Sequence, residues 1–545
     1  ATSFGLENGL VSAKLSGAAT VTKSTGGTVT LSGANALTGM MDITAGSLAV
    51  SGAGLLTSGS VVVSGGTTVL TLGNTSQSVG GFRLVDGVVA NGTLSATSFG
   101  LENGLVSAKL SGAATVTKST GGTVTLSGAN ALTGMMDITA GSLAVSGAGL
   151  LTSGSVVVSG GTTVLTLGNT SQSVGGFRLV DGVVANGTLS ATSFGLENGL
   201  VSAVLSGAAT VTKSTGGVVT LSGANALTGS MGITAGTLAV SGAGLLSSGT
   251  VTVSGATTVL TLGNTSQSVG GFRLVDGVVE NGTLSATSFG LENGLVSAKL
   301  SGAATVTKST GGTVTLSGAN ALTGMMDITA GSLAVSGAGL LTSGSVVVSG
   351  GTTVLTLGNT SQSVGGFRLV DGVVANGTLS ATSFGLENGL VSAVLSGAGT
   401  VTKSTGGVVT LSGLNTLTGS IGVSDGTLAV VAGGSLTSGT VVVSGGSSYL
   451  TLATTAQSIG KLHLVDGTVS GGTLRAGSYQ VENGWIGTQL SGTGWLTKTT
   501  VGMVTLSGVN ALTGSMDITA GTLAVSGAGL LTSGTVTVNG ATAVL

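Results

Sequence analysis

Cysteine and proline are both absent from this 545-residue chain, and histidine occurs once, at His463. Without cysteine there can be no disulfide, no thiolate nucleophile and no Cys-type zinc site. That absence does not set the compartment, although it suits export through an oxidising space, where stray thiols mispair. Without proline no backbone N–H is lost, so any run of residues can sit inside a sheet ladder. Charged residues make up 6%, aromatics 2%, and the formal net charge is −2. Such a balance leaves no basic patch for nucleic acid. Nor is there an apolar run of the ~18 residues that would cross a membrane as a helix. The chain starts at Ala1 with no leader pattern, and reads as an interior or mature stretch of something longer.

What is present is glycine, 104 residues of it, and 41% hydrophobic residues, chiefly Ala, Val and Leu. Glycine at more than twice its usual ~7% suggests collagen or disorder. Collagen fails for want of proline and of a Gly-X-Y period, and disorder fails because Val, Leu and Ile are abundant.

The chain repeats itself. "ATSFGLENGL" begins at Ala1, Ala96, Ala191, Ala286 and Ala381, and a degenerate "AGSYQVENGW" begins at Ala476. The copies are therefore 1–95, 96–190, 191–285, 286–380, 381–475 and a shortened 476–545. Repeats of this kind mean solenoids, propellers or arrays. Each copy breaks into runs such as "TVTLSG", "SLAVSG", "SVVVSGG" and "FRLVDG". These are rich in Val, Thr, Leu and Ile and bounded by Gly, Asn, Asp or Ser, the signature of strand and turn.

Comparison between copies gives the side-chain period. Met40-Met41-Asp42-Ile43 becomes Ser230-Met231-Gly232-Ile233, Ser420-Ile421-Gly422-Val423 and Ser515-Met516-Asp517-Ile518. The second and fourth positions stay apolar while the first and third vary. A strand sends alternate side chains to opposite faces, so Met41 and Ile43 are expected inside, Met40 and Asp42 outside. Lys14 becomes Val204, Val394 and Gln489, which marks another outward position.

Strong runs recur about every 19–25 residues, at Thr123, Ser142, Thr163 and Thr188. That is the circumference of one parallel β-helix coil, which predicts an all-β parallel solenoid with four to five coils per 95-residue copy. Residues 1–545 are expected to form one continuous solenoid. Strands stack ~4.8 Å apart. Gly and Asn in "ENG", "ANG", "VDG" and "SGG" would take the corners, where φ > 0 is needed. A closed propeller is the alternative, but its blades need only ~40–50 residues.

The segments "VTLSGANALTG" (Val29 to Gly39) and "ITAGSLAV" (Ile43 to Val50) closely resemble the autotransporter-associated β-strand repeat, a glycine-rich passenger repeat of bacterial surface proteins. The likeness occurs six times and covers about a quarter of each copy. It implies a right-handed parallel β-helix, secreted or at the cell surface, often adhesive or filamentous. It carries over no catalytic residues.

The residues themselves offer little chemistry. Glu7 and Asp86 stand in turn contexts, and Asp42 is lost to Gly232 and Gly422. Glycosidic acids must sit ~5–10 Å apart, whereas equivalent acids here repeat only once per copy. Arg83 and Lys23 are expected as surface charges, with Arg83 pairing to Asp86 or to a neighbouring coil. His463, which replaces Arg83 in the fifth copy, is expected on the surface. The invariant series Asn35, Asn130, Asn225, Asn320, Asn415 and Asn510 is expected at corners, with the side-chain amide serving turn backbone. The sequons at Asn74 and Asn91 read as turns. Outward Thr pairs do not recur in every coil, which argues against an ice-binding face. No catalytic, cofactor-binding or metal-ligating residue is assigned, and no cofactor. Tyrosine and tryptophan occur in the last two copies alone, with Tyr449, Tyr479, Trp485 and Trp495 as candidates for sugar stacking or for packing on a changed neighbour.

These features point to a non-enzymatic, structural extracellular rod: the stalk of a giant adhesin, or the body of a surface filament or sheath. Mean hydropathy of +0.64 and outward Val62 and Met40 suggest apolar stripes. Self-association, lateral or end to end, is the expected partnership, together with other cell-surface components. The alternative is a repeated glycan- or host-surface-binding module acting by avidity. A polysaccharide-active β-helix enzyme is the third class, and would need a groove of unique polar residues.

Overall fold

The computed structural model describes residues 1–453, 456–529 and 533–545. All regular structure among them is β, and every strand pairing is parallel. Two compact units are present, Ala1–Gly271 and Phe272–Leu545. Each is a parallel β-solenoid built from the same coils, and the propeller alternative is excluded.

The second copy, in the first compact unit, shows the winding. Phe99 stands against Val116, Val116 against Met136, Met136 against Val156, Val156 against Phe177 and Phe177 against Phe194, giving coils of 17, 20, 20, 21 and 17 residues. A copy is thus five coils, and two of them are tighter than the 19-residue lower limit inferred from the sequence. The tight coils are those in which "GTLSATSFG" and "LENGLVSAKLSG" shorten the corners to a few residues.

Each coil has three faces. The first carries Ser98–Leu101, Thr115–Lys118, Met135–Ile138, Ser155–Val158 and Gly176–Leu179. The second carries Gly104–Val106, Thr123–Leu126, Ser142–Val145, Val164–Thr166 and Val183–Ala185. The third has only Lys109–Gly112, Ala131–Leu132, Ser171–Ser173 and Thr188–Ser190. One coil, running on from Ser142–Val145, contributes no strand to it.

The interior is a column of mainly aliphatic side chains, with phenylalanines among them. Met41 and Ile43 are fully buried and Met40 is exposed, as period two requires. Phe82 and Phe99 stack inside with ring centroids 6.1 Å apart, a tilted contact favourable beyond its buried area. Corners use the left-handed region where expected. Asn74 and Asn91 both have φ 58°, and Gly104, after "EN", has φ 112°. A Cβ on Gly104 would lie 2.2 Å from the Gly87 carbonyl oxygen in the adjacent coil, so only glycine fits that corner.

Candidate functional site

Most of the recurring polar residues are joints between coils. Lys23 overturns its expectation: it is a core residue, not a surface charge. Together with Lys118, Lys213, Lys308, Lys403 and Lys498 it is at most 1% exposed. The reason lies in the period. In "TVTK" Val21 points inward, so Lys23, two residues on, must as well. Its Nζ donates to the carbonyls of Thr25 and, at 3.1 Å, of Ala45 in the next coil. Lys118 does the same with Thr120 and Ala140. Burial pushes the Lys118 amine below its ordinary pKa, while the Glu102 carboxylate pulls the other way.

The Asn35 series has a structural role of the expected kind, but across coils instead of within a turn. Asn130 Oδ1 accepts from Leu110 N at 2.8 Å, one coil before, and Nδ2 donates to Leu150 O at 2.9 Å, one coil after. Thr152 Oγ1 accepts from Leu132 N and donates to Asn130 O. Gln172, also buried, accepts from Leu151 N and donates to Gly149 O through its side-chain amide. These three side chains carry the ladder across the third face where a backbone strand is missing. Buried backbone groups need partners, and here amides supply them. The Gln77 series is not among the candidates the sequence offers, although its recurrence in "NTSQSVGG" is a signal for it.

The acidic residues are similarly engaged. Arg83 pairs with Glu102, one coil on, at 2.6 Å, and not with Asp86. Asp86 Oδ1 accepts from Gly87 N at 2.8 Å and from Asn103 Nδ2 at 2.9 Å. Asn103 Oδ1 then accepts from Thr123 N. Charge and amide thus form a second bridge across three coils. In the fifth copy His463 takes the place of Arg83 and contacts Glu482 at 2.7 Å.

One concavity recurs on the outer side of the first face. Val62, Gly81, Arg83, Ser98, Gly100 and Thr117 surround a notch of about 370 Å³, with Phe82 and Phe99 beneath. Matching notches lie at Gly176 and Gly195, about 350 Å³, and at Gly366 and Gly385, about 330 Å³. The notch exists because two outward strand positions on adjacent coils lack side chains. In the fifth copy Lys461 and Gln480 occupy those positions, and Lys461 Nζ donates to Gln480 Oε1 at 2.7 Å.

The candidate aromatics separate. Tyr479 is fully buried: its hydroxyl accepts from Ala476 N and lies 2.9 Å from the Leu474 and Ser491 carbonyl oxygens. Tyr449, Trp485 and Trp495 are exposed. Trp485 lies over Gly487, where the other copies have serine.

Comparison with curated proteins and with solved structures returns no match. Comparison with family models returns one, described as passenger-associated-transport-repeat, over residues 21–50, 116–145, 211–240, 306–335, 401–430 and 496–525. Every matched segment spans one buried lysine and one bridging asparagine, and none includes the glycines of the notch. The stretches that match the passenger-associated-transport-repeat model are therefore the ones that join coil to coil, and the match recurs six times at 95-residue intervals.

Proposed function

We propose that this chain is a structural, non-catalytic part of a bacterial surface passenger: the stalk of an adhesin or the body of a filament or sheath, associating laterally with further copies. The observation that carries this reading is the use made of the recurring polar residues. Lysine, asparagine, glutamine and the Asp86–Asn103 pair all bind backbone or side chains of neighbouring coils. Such joints resist pulling and give length by duplication, since each coil needs only its neighbours. The test is to display the chain on cells and image it. Labelled antibody reaching intact cells, with extended material in negative stain, supports the reading. Retention inside the cell, or turnover of a polysaccharide by the purified chain, would refute it.

A glycan-binding role is the second reading, favoured by Tyr449, Trp485 and Trp495. Their rings are exposed in the last two copies only, and aromatic faces suit sugar stacking. A glycan array probed with the chain and with a Trp485→Ala, Trp495→Ala variant decides it: loss of a signal on substitution is the supporting result.

A further inference from the structure

One outward row of the second face changes its chemistry in the last two copies. Thr427, Tyr449, Thr468, Trp485 and Thr505 pair in succession, one to a coil. Tyr449 and Trp485 are 44% and 40% exposed, while Leu450 and Ile486, next to them in sequence, are fully buried. Both rings therefore belong to the outer surface. They stand two coils apart, about 10 Å at ~4.8 Å a rung. In the earlier copies the matching row reads Val69, Val88, Leu105. The change is not a plain gain of bulk. The two flanking positions turn aromatic, and the valine between them becomes threonine.

Three observations say what such a row suits. First, the indole of Trp485 lies down on its own strand. A Cβ on Gly487 would collide with Cη2 of Trp485 and lie 2.8 Å from its Cζ2 and Cζ3. Serine, which the other copies hold at that position, is gone, and the ring covers the glycine with its other face free. Second, hydroxyls gather beside the rings. Thr468 lies between them, and Ser470, which replaces Ala90, has its hydroxyl 3.4 Å from that of Thr451. Third, the charge near the row is negative. Asp425, Asp466 and Glu482 come two or three residues before Thr427, Thr468 and Trp485, at the corner that opens the second face. An aromatic face, negative at its centre, attracts the C–H groups on the flat side of a pyranose. Hydroxyls and carboxylates bind the sugar's rim, and carboxylates repel an acidic glycan. A protein partner is served less well, because threonine interrupts the apolar surface. Linkage follows from the spacing. In a β-1,4-linked chain each sugar is turned over relative to the last, so the same face recurs at every second sugar, as the rings recur at every second coil.

We propose that this row holds an uncharged β-1,4-linked polysaccharide lying along the stack of coils, with alternate sugars on Tyr449 and Trp485 and the sugar between them over Thr468. This rests on the glycan-binding reading above, and names the ligand class and the two rings that carry it. Trp495 stands apart, on the first face beside Ser478. The test is calorimetric titration of the full chain with β-1,4-linked glucose and N-acetylglucosamine oligosaccharides of two, four and six sugars. A disaccharide cannot reach both rings, so affinity should rise between two and four sugars and change little beyond.

Tyr449→Ala and Trp485→Ala should each weaken the tetrasaccharide by about two- to tenfold, the loss of one ring contact, and remove its advantage over the disaccharide. Gly487→Ser restores the residue of the other copies, so the coil keeps its fold and its circular dichroism. The serine lifts the indole off the strand, and tetrasaccharide binding should fall as in Trp485→Ala. Equal affinity for two, four and six sugars overturns the two-ring contact and leaves glycan binding standing. So does binding that is lost in Trp495→Ala and kept in Tyr449→Ala. Tighter binding of an acidic β-1,4-mannuronate tetrasaccharide overturns the uncharged chain. No binding to any glycan overturns both this proposal and the reading it rests on, without touching surface display.

Discussion

Lys118 Nζ lies 3.1 Å from the carbonyl oxygen of Ala140, in the coil that follows its own. A second bond runs to Thr120 O. A neutral amine has two N–H groups, enough for both carbonyls, so deprotonation removes a buried charge without orphaning an acceptor.

That arrangement gives the fold an unusual alkaline arm. Burial lowers the pKa of Lys118, Lys213, Lys308, Lys403 and Lys498 from 10.5. Glu102, Glu197, Glu292 and Glu482 oppose this at four of them, and Asp425 with Glu387 at Lys403. Between the lowered pKa and 10.5 the unfolded chain binds protons that the folded chain does not, so stability rises with pH. Burial raises the Tyr479 pKa from 10.0, so above that value the folded chain keeps a proton the unfolded chain has lost, and this contribution falls. With five lysines set against one tyrosine, denaturant midpoints should climb through pH 10 and level off only above about 10.5, once the unfolded lysines have lost their protons too. A steady decline from neutrality would contradict the buried-amine account.

Asn130→Leu keeps the size of the side chain and removes both its bonds. Leu110 N and Leu150 O lose their partners, at about 1–3 kcal/mol for each orphaned group. Hydrogen exchange should quicken at Leu110 and its neighbours while distant coils stay protected, since each coil depends on those beside it. Uniform loss of protection, or none, would show that the amide is not the joint.

Thr488 offers the reverse experiment. Its hydroxyl is buried and has no hydrogen-bond partner, whereas Ala108, Ala203, Ala298 and Ala393 fill the same position in other copies. Thr488→Ala should therefore stabilise the last copy by about 1 kcal/mol or more, read as a higher melting temperature. A lower one would mean that the methyl packing outweighs the stranded hydroxyl.

Two glycines four residues apart should behave oppositely. Gly104→Ala forces a side chain into φ +112° and against the Gly87 carbonyl, at a cost above about 1 kcal/mol. Gly100→Ala adds a methyl at ordinary contact distance on an extended strand, so it should be neutral or stabilising by about 0.4–1 kcal/mol. Paired thermal melts check both, and equal losses would sink the distinction.

Much of the architecture was legible in the letters because the repeat is its own control. Positions 41 and 43 stayed apolar while 40 and 42 varied, which fixed strand, period and facing before any coordinates. The same alternation applied to "TVTK" places Lys23 inside. Charge alone suggested otherwise, because a buried lysine is rare without partners, and its partners here are backbone carbonyls that no sequence displays.

By itself, then, the sequence determined the copy length, the parallel β winding, the inward and outward positions and the kinship with passenger repeats, since periodicity and composition are properties of the chain in order. Tertiary structure alone decided that a copy closes in five coils, that Arg83 meets Glu102 and not Asp86, that Asn130 and Gln172 replace a missing strand, and that Gly81 and Gly100 open a notch on the first face. Each of those depends on which residue the next coil sets alongside, a distance of 17 to 21 residues along the chain that register, not local preference, selects.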